Sequence, residues 1–556
     1  AFYFFNNINN SYVIYLHMRK YLFLLFILAI TKTTAQKIAG TVFNDKGDLL
    51  PYSSVTIKGT SIGASANNKA KYAINVTKGT YTIVCQHIGF SAVEKQITID
   101  AADAELNFIL AEQKLQMKEV IVKNGGEDPA YAIIRKAIKM RSFYADQVDA
   151  FKCDLYSKDI IKLRHLPKKF FGQKIPDEDR QDMGLDSVTG QGIIYLSEAI
   201  AKIASQKPNN FKMEVKSSRV SGSGSFGFAF PTFISFYQNN ITIFSNMLNP
   251  RGFVLFIVDG AIRYYKFKYM GSFWEDCKEV NTSRVTPRRT YEPLFTGIIN
   301  ITENDWRIHS LDVTLTKTSQ LEILDTLQIT QFHVPVTKDI WRVKNQLMHF
   351  NLNFFKIDAV GNFVRVYSDY DLKPEFGKKY FDKVVIKYDT NVSKKSKAYW
   401  DTIRPMPLEK EEIKDYQKKD SIFAYQRDSV WSKSNIDSLK KRQGKVRPLG
   451  ILWGGIDRIH YSRKNRYNWG IEPLVDPFFK HLEYNSAEGI AVSLSTYYDK
   501  YLRNLKANMS ISPTVRYSFG NHHLTAWADI HFQSHNPDPK KKKKNQSLTL
   551  SGGKRV

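Results

Sequence analysis

Cysteine is nearly absent from this chain. Its 556 residues carry three, Cys85, Cys153 and Cys277, far apart, odd in number and without any C-x-x-C pair. That excludes a disulfide framework and a zinc ribbon, and leaves three unpaired cysteines expected to pack in cores. None of the twelve histidines is followed by glutamate at the third position, and no HExxH occurs. A zinc peptidase needs such a pair, because Zn²⁺ takes three nitrogen or oxygen ligands beside an open position for water. A P-loop pattern is missing as well. A G-x-G-x-x-G does occur, at Gly222, Gly224 and Gly227, but Phe228-Ala229-Phe230-Pro231 follows where a dinucleotide site requires a helix, so the stretch reads as a loop. No catalytic residue, cofactor or metal is therefore expected. Acids are short too, 54 against 81 basic residues, for a net charge of +27.

Such a balance favours contact with phosphate, either of nucleic acid or of a membrane surface. The start of the chain decides between them. From Met18 it reads MRKYLFLLFILAITKTTAQ: a basic opening at Arg19 and Lys20, an apolar run over Tyr21–Ile30, then small or hydroxylated residues up to Ala35. This is the layout of a secretory signal over 18–35, with an apolar run too short to stay in a bilayer as a permanent anchor. Residues 1–17 precede that Met and read as upstream translation foreign to the protein. Export makes nucleic acid a poor partner and a membrane lipid a good one. Aromatics at 13% suit strands and membrane interfaces.

Residues 36–123 hold short alternating strands (KIAGTVF, SSVTIKG, KYAINV, TYTIVCQHI, EKQITI, ELNFIL) punctuated by Gly47, Pro51, Gly63, Gly79 and Gly89, the pattern of a small sandwich. Gly40-Thr41-Val42, Asp45, Gly47, Leu50-Pro51, Val55, Gly59-Thr60, Gly79-Thr80-Tyr81 and Ile88-Gly89-Phe90 resemble the carboxypeptidase-regulatory-like domain, and Glu119-Val120-Ile121-Val122 resembles the strand that often follows it. The resemblance implies an Ig/transthyretin-like β-sandwich. Where that family commonly has Asp-Gly-x-Phe, this chain has Lys69-Ala70-Lys71-Tyr72.

Residues 124–393 open with a helix: Asp128 as cap, Pro129 at the first position, and a stripe of Ala130, Ile133, Ile134, Ala137 and Ile138 that packs on a neighbouring domain. Then come β-rich runs, among them FVLFIVDG and the stretch from Gly271 to Lys317, which resembles the lipoprotein-carrier half-barrel. The expectation is a β-rich periplasmic domain. Residues 394–447 carry both charges and few core residues, and read as a solvated, partly helical linker.

From residue 448 onward the pattern becomes two-faced. In KANMSISPTVRYSF (506–519) Ala507, Met509, Ile511, Val515, Tyr517 and Phe519 alternate with Asn508, Ser510, Ser512, Thr514, Arg516 and Ser518. The alternation resumes over Leu524–Gln533 and is shared by 489–498 and 547–551. Strands of about ten residues, apolar outside and polar inside, are what an outer-membrane β-barrel requires. With periplasmic N-terminal domains, the tight Gly520–His523 turn lies inside, and the loop with Pro537, Pro539 and Lys540, Lys541, Lys542, Lys543 and Lys544 lies outside. The lysine run is a candidate contact for anionic headgroups. Known barrels have at least eight strands, so these read as the first strands of a longer one. With PRGF (250–253), DWRIHS (305–310) and VYSDYDL (366–372), the whole chain resembles a Gram-negative outer-membrane family of unknown function with a surface-antigen-like barrel. The resemblance implies a non-enzymatic outer-membrane protein whose periplasmic β-domains bind or position a partner, including other envelope proteins, in transport, assembly or lipid handling. A carboxypeptidase-type hydrolase and an accessory receptor for nutrient or glycan are the alternatives.

Overall fold

The computed structural model describes residues 36–100, 102–117, 126–170, 173–174, 180, 184–186, 188–222, 234–243, 248–249, 251–321, 324–354, 356–377, 379–381, 385–430, 456–461, 469–475, 482–485, 489–495, 498–502, 507–534 and 547–553. The signal-like segment, the residues before it and Lys540–Lys544 lie outside them. The described chain is mainly β and is organised in several sheets.

In the first module two four-stranded sheets share one core. One joins Gln36–Asn44 to Lys71–Val76, Ala104–Glu105 and Phe108–Leu110, and the other runs Gly63–Ser65, Ser54–Ile57, Gly79–Gln86, Val93–Ile99. Alternate residues of both, among them Ile38, Val42, Val55, Ile74, Ile83 and Phe108, fill the space between them. The unusual Lys69-Ala70-Lys71-Tyr72 turn keeps a glycine-like shape. Ala70 has φ +55°, its N–H donates to the Asn67 carbonyl at 2.8 Å, and Asn67 Oδ1 accepts from the N–H groups of Lys69 and Lys71.

The middle of the chain forms an eleven-stranded sheet. A seven-strand antiparallel meander, from Tyr265–Glu275 to Ile357–Asp371, continues into Ala150–His165, Gly192–Gln206, Asn210–Val220 and a short parallel edge, Ile386–Tyr388. Helix α1 (Pro129–Asp146) lies against one face, and Asp128 caps it by accepting from Ala130 N at 2.9 Å. The same carboxylate accepts from Tyr269 N at 2.9 Å, which ties the helix start to the edge strand. Ala130, Ile133, Ile134 and Ala137 meet Leu311, Val313, Leu327 and Ile329 of the sheet in one core. FVLFIVDG is not a strand through its length. Only Phe253–Val254 pair, and Leu255, Phe256, Ile257 and Val258 are buried in irregular backbone beside the helix. An apolar run with no alternation has no solvent face, so it suits a core plug as well as a strand.

Residues 394–424 differ from the expected solvated linker. Helices α2 (Lys397–Ile403) and α3 (Lys410–Val430) dock on the opposite face of the sheet, where Trp400, Met406 and Tyr416 are buried. The rest of that stretch, from 431 on, lies outside the described residues. The cysteines depart in part from the expectation: all three are free, Cys85 and Cys153 are buried, but Cys277 is exposed in a turn at φ +58°.

The C-terminal strands Leu482–Asn485, Gly489–Ser495, Ala507–Ser518, His523–Ser534 and Ser547–Gly553 form one antiparallel sheet, with Tyr498–Leu502 continuing beside Ala507–Ser518. Among the described residues this sheet is open and no closed barrel is seen.

Candidate functional site

Three β-bulges set the site on the middle sheet. Where Tyr269 pairs Ser283 but Gly271 pairs Thr282, Met270 is the extra residue; where Asn300 pairs Ser310 but Ile301 pairs Ile308, His309 is; where Phe332 pairs Asn345 but His333 pairs Val343, Lys344 is. A bulge re-aims the side chains around it. Strict alternation would send His309 and Ser310 to opposite faces, yet the bulge turns both toward the first module. Gly271 lets that module approach: at φ +120°, a Cβ there would lie 2.9 Å from Leu115 Cβ and 3.0 Å from the Gln116 carbonyl oxygen. Gln116 and Ser272 exchange backbone hydrogen bonds of 2.8 and 2.9 Å at this point.

Between the two modules lies a cavity of about 230 Å³. Gln86, His87, Phe90 and Leu115 line it from the first module, and Phe273, Glu275, Thr282, Asn300, His309 and Phe332 from the sheet. The Glu275 carboxylate accepts from Gln86 Nε2 and lies 3.5 Å from His309 Nε2. Burial pushes this carboxyl up, but the charge and hydrogen bond of His309, with that of Gln86, outweigh it and hold Glu275 below its usual range. His309 Nδ1 is 3.1 Å from Ser310 Oγ, and Asn300 Nδ2 donates to the same oxygen at 2.9 Å. Ser310 is 2% exposed and its hydroxyl is already engaged, so it offers no open nucleophile. Burial pushes His87 down to about 4 and His333 down to about 3, so both are neutral at physiological pH.

The face of the sheet under α2 and α3 carries buried ion pairs among its apolar side chains. Glu198, fully buried, accepts from Tyr156 Oη at 2.8 Å, Arg404 Nε at 2.6 Å and Nη2 at 2.9 Å, and Tyr416 Oη at 3.2 Å. Lys158 Nζ meets Glu412 at 2.6 Å with both side chains buried. Burial pushes Glu412 up while Lys158 pulls it back. Such pairs are structural, each charge answered inside the fold. Among the described residues no three of His, Cys, Asp and Glu gather into a metal site.

On the C-terminal sheet the burial of the two series is inverted relative to a water-soluble protein. Ser493, Thr514, Arg516, Ser518 and Thr525 are buried, whereas Leu494, Val515, Leu524, Leu548 and Leu550 are exposed, Leu524 by 66%. The buried polar row satisfies itself across strands: Arg516 Nη1 donates to Ser493 Oγ at 3.1 Å, and Ser495 and Thr514 hydroxyls lie 2.9 Å apart. Sequence alternation predicted this division of faces. It did not predict the cavity, whose only hint was the unassigned DWRIHS motif.

The class so defined is a mainly β, multi-module chain ending in an inside-out amphipathic sheet. Its domain architecture matches a known family: the family of unknown function DUF5686 matches residues 133–370, its C-terminal domain matches 450–556, and a CarboxypepD_reg-like domain matches 38–122. No curated protein matches the chain. Among solved structures, a putative outer membrane lipoprotein-sorting protein domain from Vibrio parahaemolyticus is 10% identical, covering 45% of this chain and 95% of that one at a TM-score of 0.23. A LolA superfamily protein from Nitrosomonas europaea is 12% identical over 46% and 97%, with a TM-score of 0.18. A DUF3823 family protein from Bacteroides ovatus is 9% identical over 32% and 96%, with a TM-score of 0.13. These scores are too low to carry any inference.

Proposed function

We infer that this protein is a non-enzymatic component of the Gram-negative envelope. Its C-terminal strands belong to an outer-membrane β-barrel, which anchors periplasmic β-modules that bind or position a partner in transport, assembly or lipid handling. The observation that carries the reading is the inverted sheet. Exposed leucines opposite a buried Ser/Thr/Arg row would be costly in water and are what hydrocarbon outside a polar interior selects. The domain architecture and the signal-like 18–35 segment support export to the envelope. In this reading the modules divide near 123, 393 and 447, and the first is an Ig/transthyretin-like sandwich. The loop with Lys540–Lys544 meets anionic headgroups, each charge contributing up to about 1 kcal/mol. For lipid handling, an acyl chain would compete with α1 and Leu255–Val258 for the sheet face they fill.

Membrane fractionation tests the reading. The full-length protein should sediment with outer membranes and resist carbonate and urea extraction. Recovery in the soluble periplasmic fraction would overturn the barrel.

A further inference from the structure

We propose that the cavity between the first module and the middle sheet is a binding site for a neutral sugar, one residue of a glycan. The assignment goes beyond the membrane reading and does not depend on it. Two polar side chains that line the cavity are nine-tenths or more buried and incompletely satisfied: Thr282 Oγ1 and Asn300 Oδ1 have no hydrogen-bond partner. A buried polar atom left unpaired is destabilising, and a native fold tolerates it where a ligand or water supplies the partner.

The chemistry of the lining selects the ligand. Among the described residues Glu275 is the only lining one of fixed charge, and Gln86 and His309 already answer it, so the site favours neither an anion nor a cation. Phosphate, nucleotide and lipid headgroup are disfavoured for that reason. Phe90, Phe273 and Phe332 give flat apolar walls, and Gln113, Thr282 and Asn300 give amide and hydroxyl groups. Rings beside neutral hydrogen-bonding groups suit a molecule with C–H faces and many hydroxyls. The size agrees, since about 230 Å³ holds roughly the liquid-volume share of eight waters at ~30 Å³ each, the scale of one hexose ring with its hydroxyls.

The test uses the full chain folded in a detergent without a sugar headgroup, titrated with glucose, galactose, mannose and N-acetylglucosamine and read by saturation-transfer NMR. At least one sugar should give saturable transfer. Thr282→Val keeps the shape and removes the orphaned hydroxyl; it should weaken binding about tenfold, the effect of one lost hydrogen bond, without lowering the unfolding midpoint. Asn300→Leu should abolish binding, although it also removes the Ser310 contact, so Thr282→Val is the deciding variant. Two results would overturn the proposal: no transfer from any of the sugars, or binding unchanged in Thr282→Val. Neither of them would bear on fractionation, so failure here and failure of the membrane reading remain separate.

Discussion

Lys344 makes the fold sensitive to pH. Thrown out of register by its bulge, it is fully buried and donates to the carbonyls of Ser61, in the first module, and Tyr367, at 3.0 Å for the latter. Burial pushes its amine down to about 7, against a weaker pull from Asp369. In the unfolded chain the same amine titrates near 10.4. Between those values the unfolded state holds a proton that the folded state lacks, so Lys344 makes stability rise with pH from about 7 to about 10, and the gain is lost as pH falls back from about 10 to about 7. Urea midpoints at pH 6.5 and 9.5 check this: Lys344→Met should narrow the difference relative to wild type, chiefly by raising the midpoint at pH 6.5. Ala70 teaches the opposite lesson about residues. Its αL backbone costs roughly 1–2 kcal/mol relative to a relaxed alanine, but glycine there would add about 0.5–1 kcal/mol of chain entropy and lose a buried methyl. The two sides nearly balance, so a turn that the sequence seemed to spoil survives.

Among the elements, α3 shows where sequence reasoning failed. Its composition, KEEIKDYQKKDS, looks solvated because a charge reveals nothing of its partner. Lys158 and Glu412 are 254 residues apart, and Glu198 and Arg404 are 206 apart. Only the fold brings them together. Removing one partner should be severe: Glu412→Leu alone leaves a buried ammonium and should cost about 3–5 kcal/mol. Adding Lys158→Met should restore most of that loss, because a well-packed apolar pair commonly equals a buried ion pair. Chemical denaturation of the single variants and the double variant completes the cycle. By contrast, α1 was legible from Asp128, Pro129 and its apolar stripe, and the strands 507–518 and 523–534 from plain alternation, since each signal is local. The bulge at His309 was not, because the one-residue slip it puts between Ile308 and Leu311, Val313 and Leu315 looks the same in sequence as a strand end or a turn. The cavity stayed hidden for the same reason.

Across the whole molecule, the two faces of the C-terminal sheet make its surroundings testable. Leu550→Arg places a charge on the exposed apolar row, opposite Ile530 near mid-strand. If that row meets hydrocarbon, the change should cost about 2–4 kcal/mol near the bilayer midplane and lower the yield of membrane-inserted protein. In a water-facing sheet it would be harmless or would improve solubility, and fractionation of the variant distinguishes the two. The middle sheet carries a different consequence, one of timing. Its strand Ala150–His165 is flanked by Gly192–Gln206 on one side and by Ile357–Asp371 on the other, and the Asp159–Arg365 pair across the latter seam spans 206 residues. A chain crossing the inner membrane from its N-terminus delivers the first of these neighbours early and the second late. Until residue 371 has emerged, one long edge of a nascent sheet stands unpaired, open to other unfolded chains. Translocation speed and the holdase capacity of the compartment, more than final stability, would then limit how much of this protein a cell can mature.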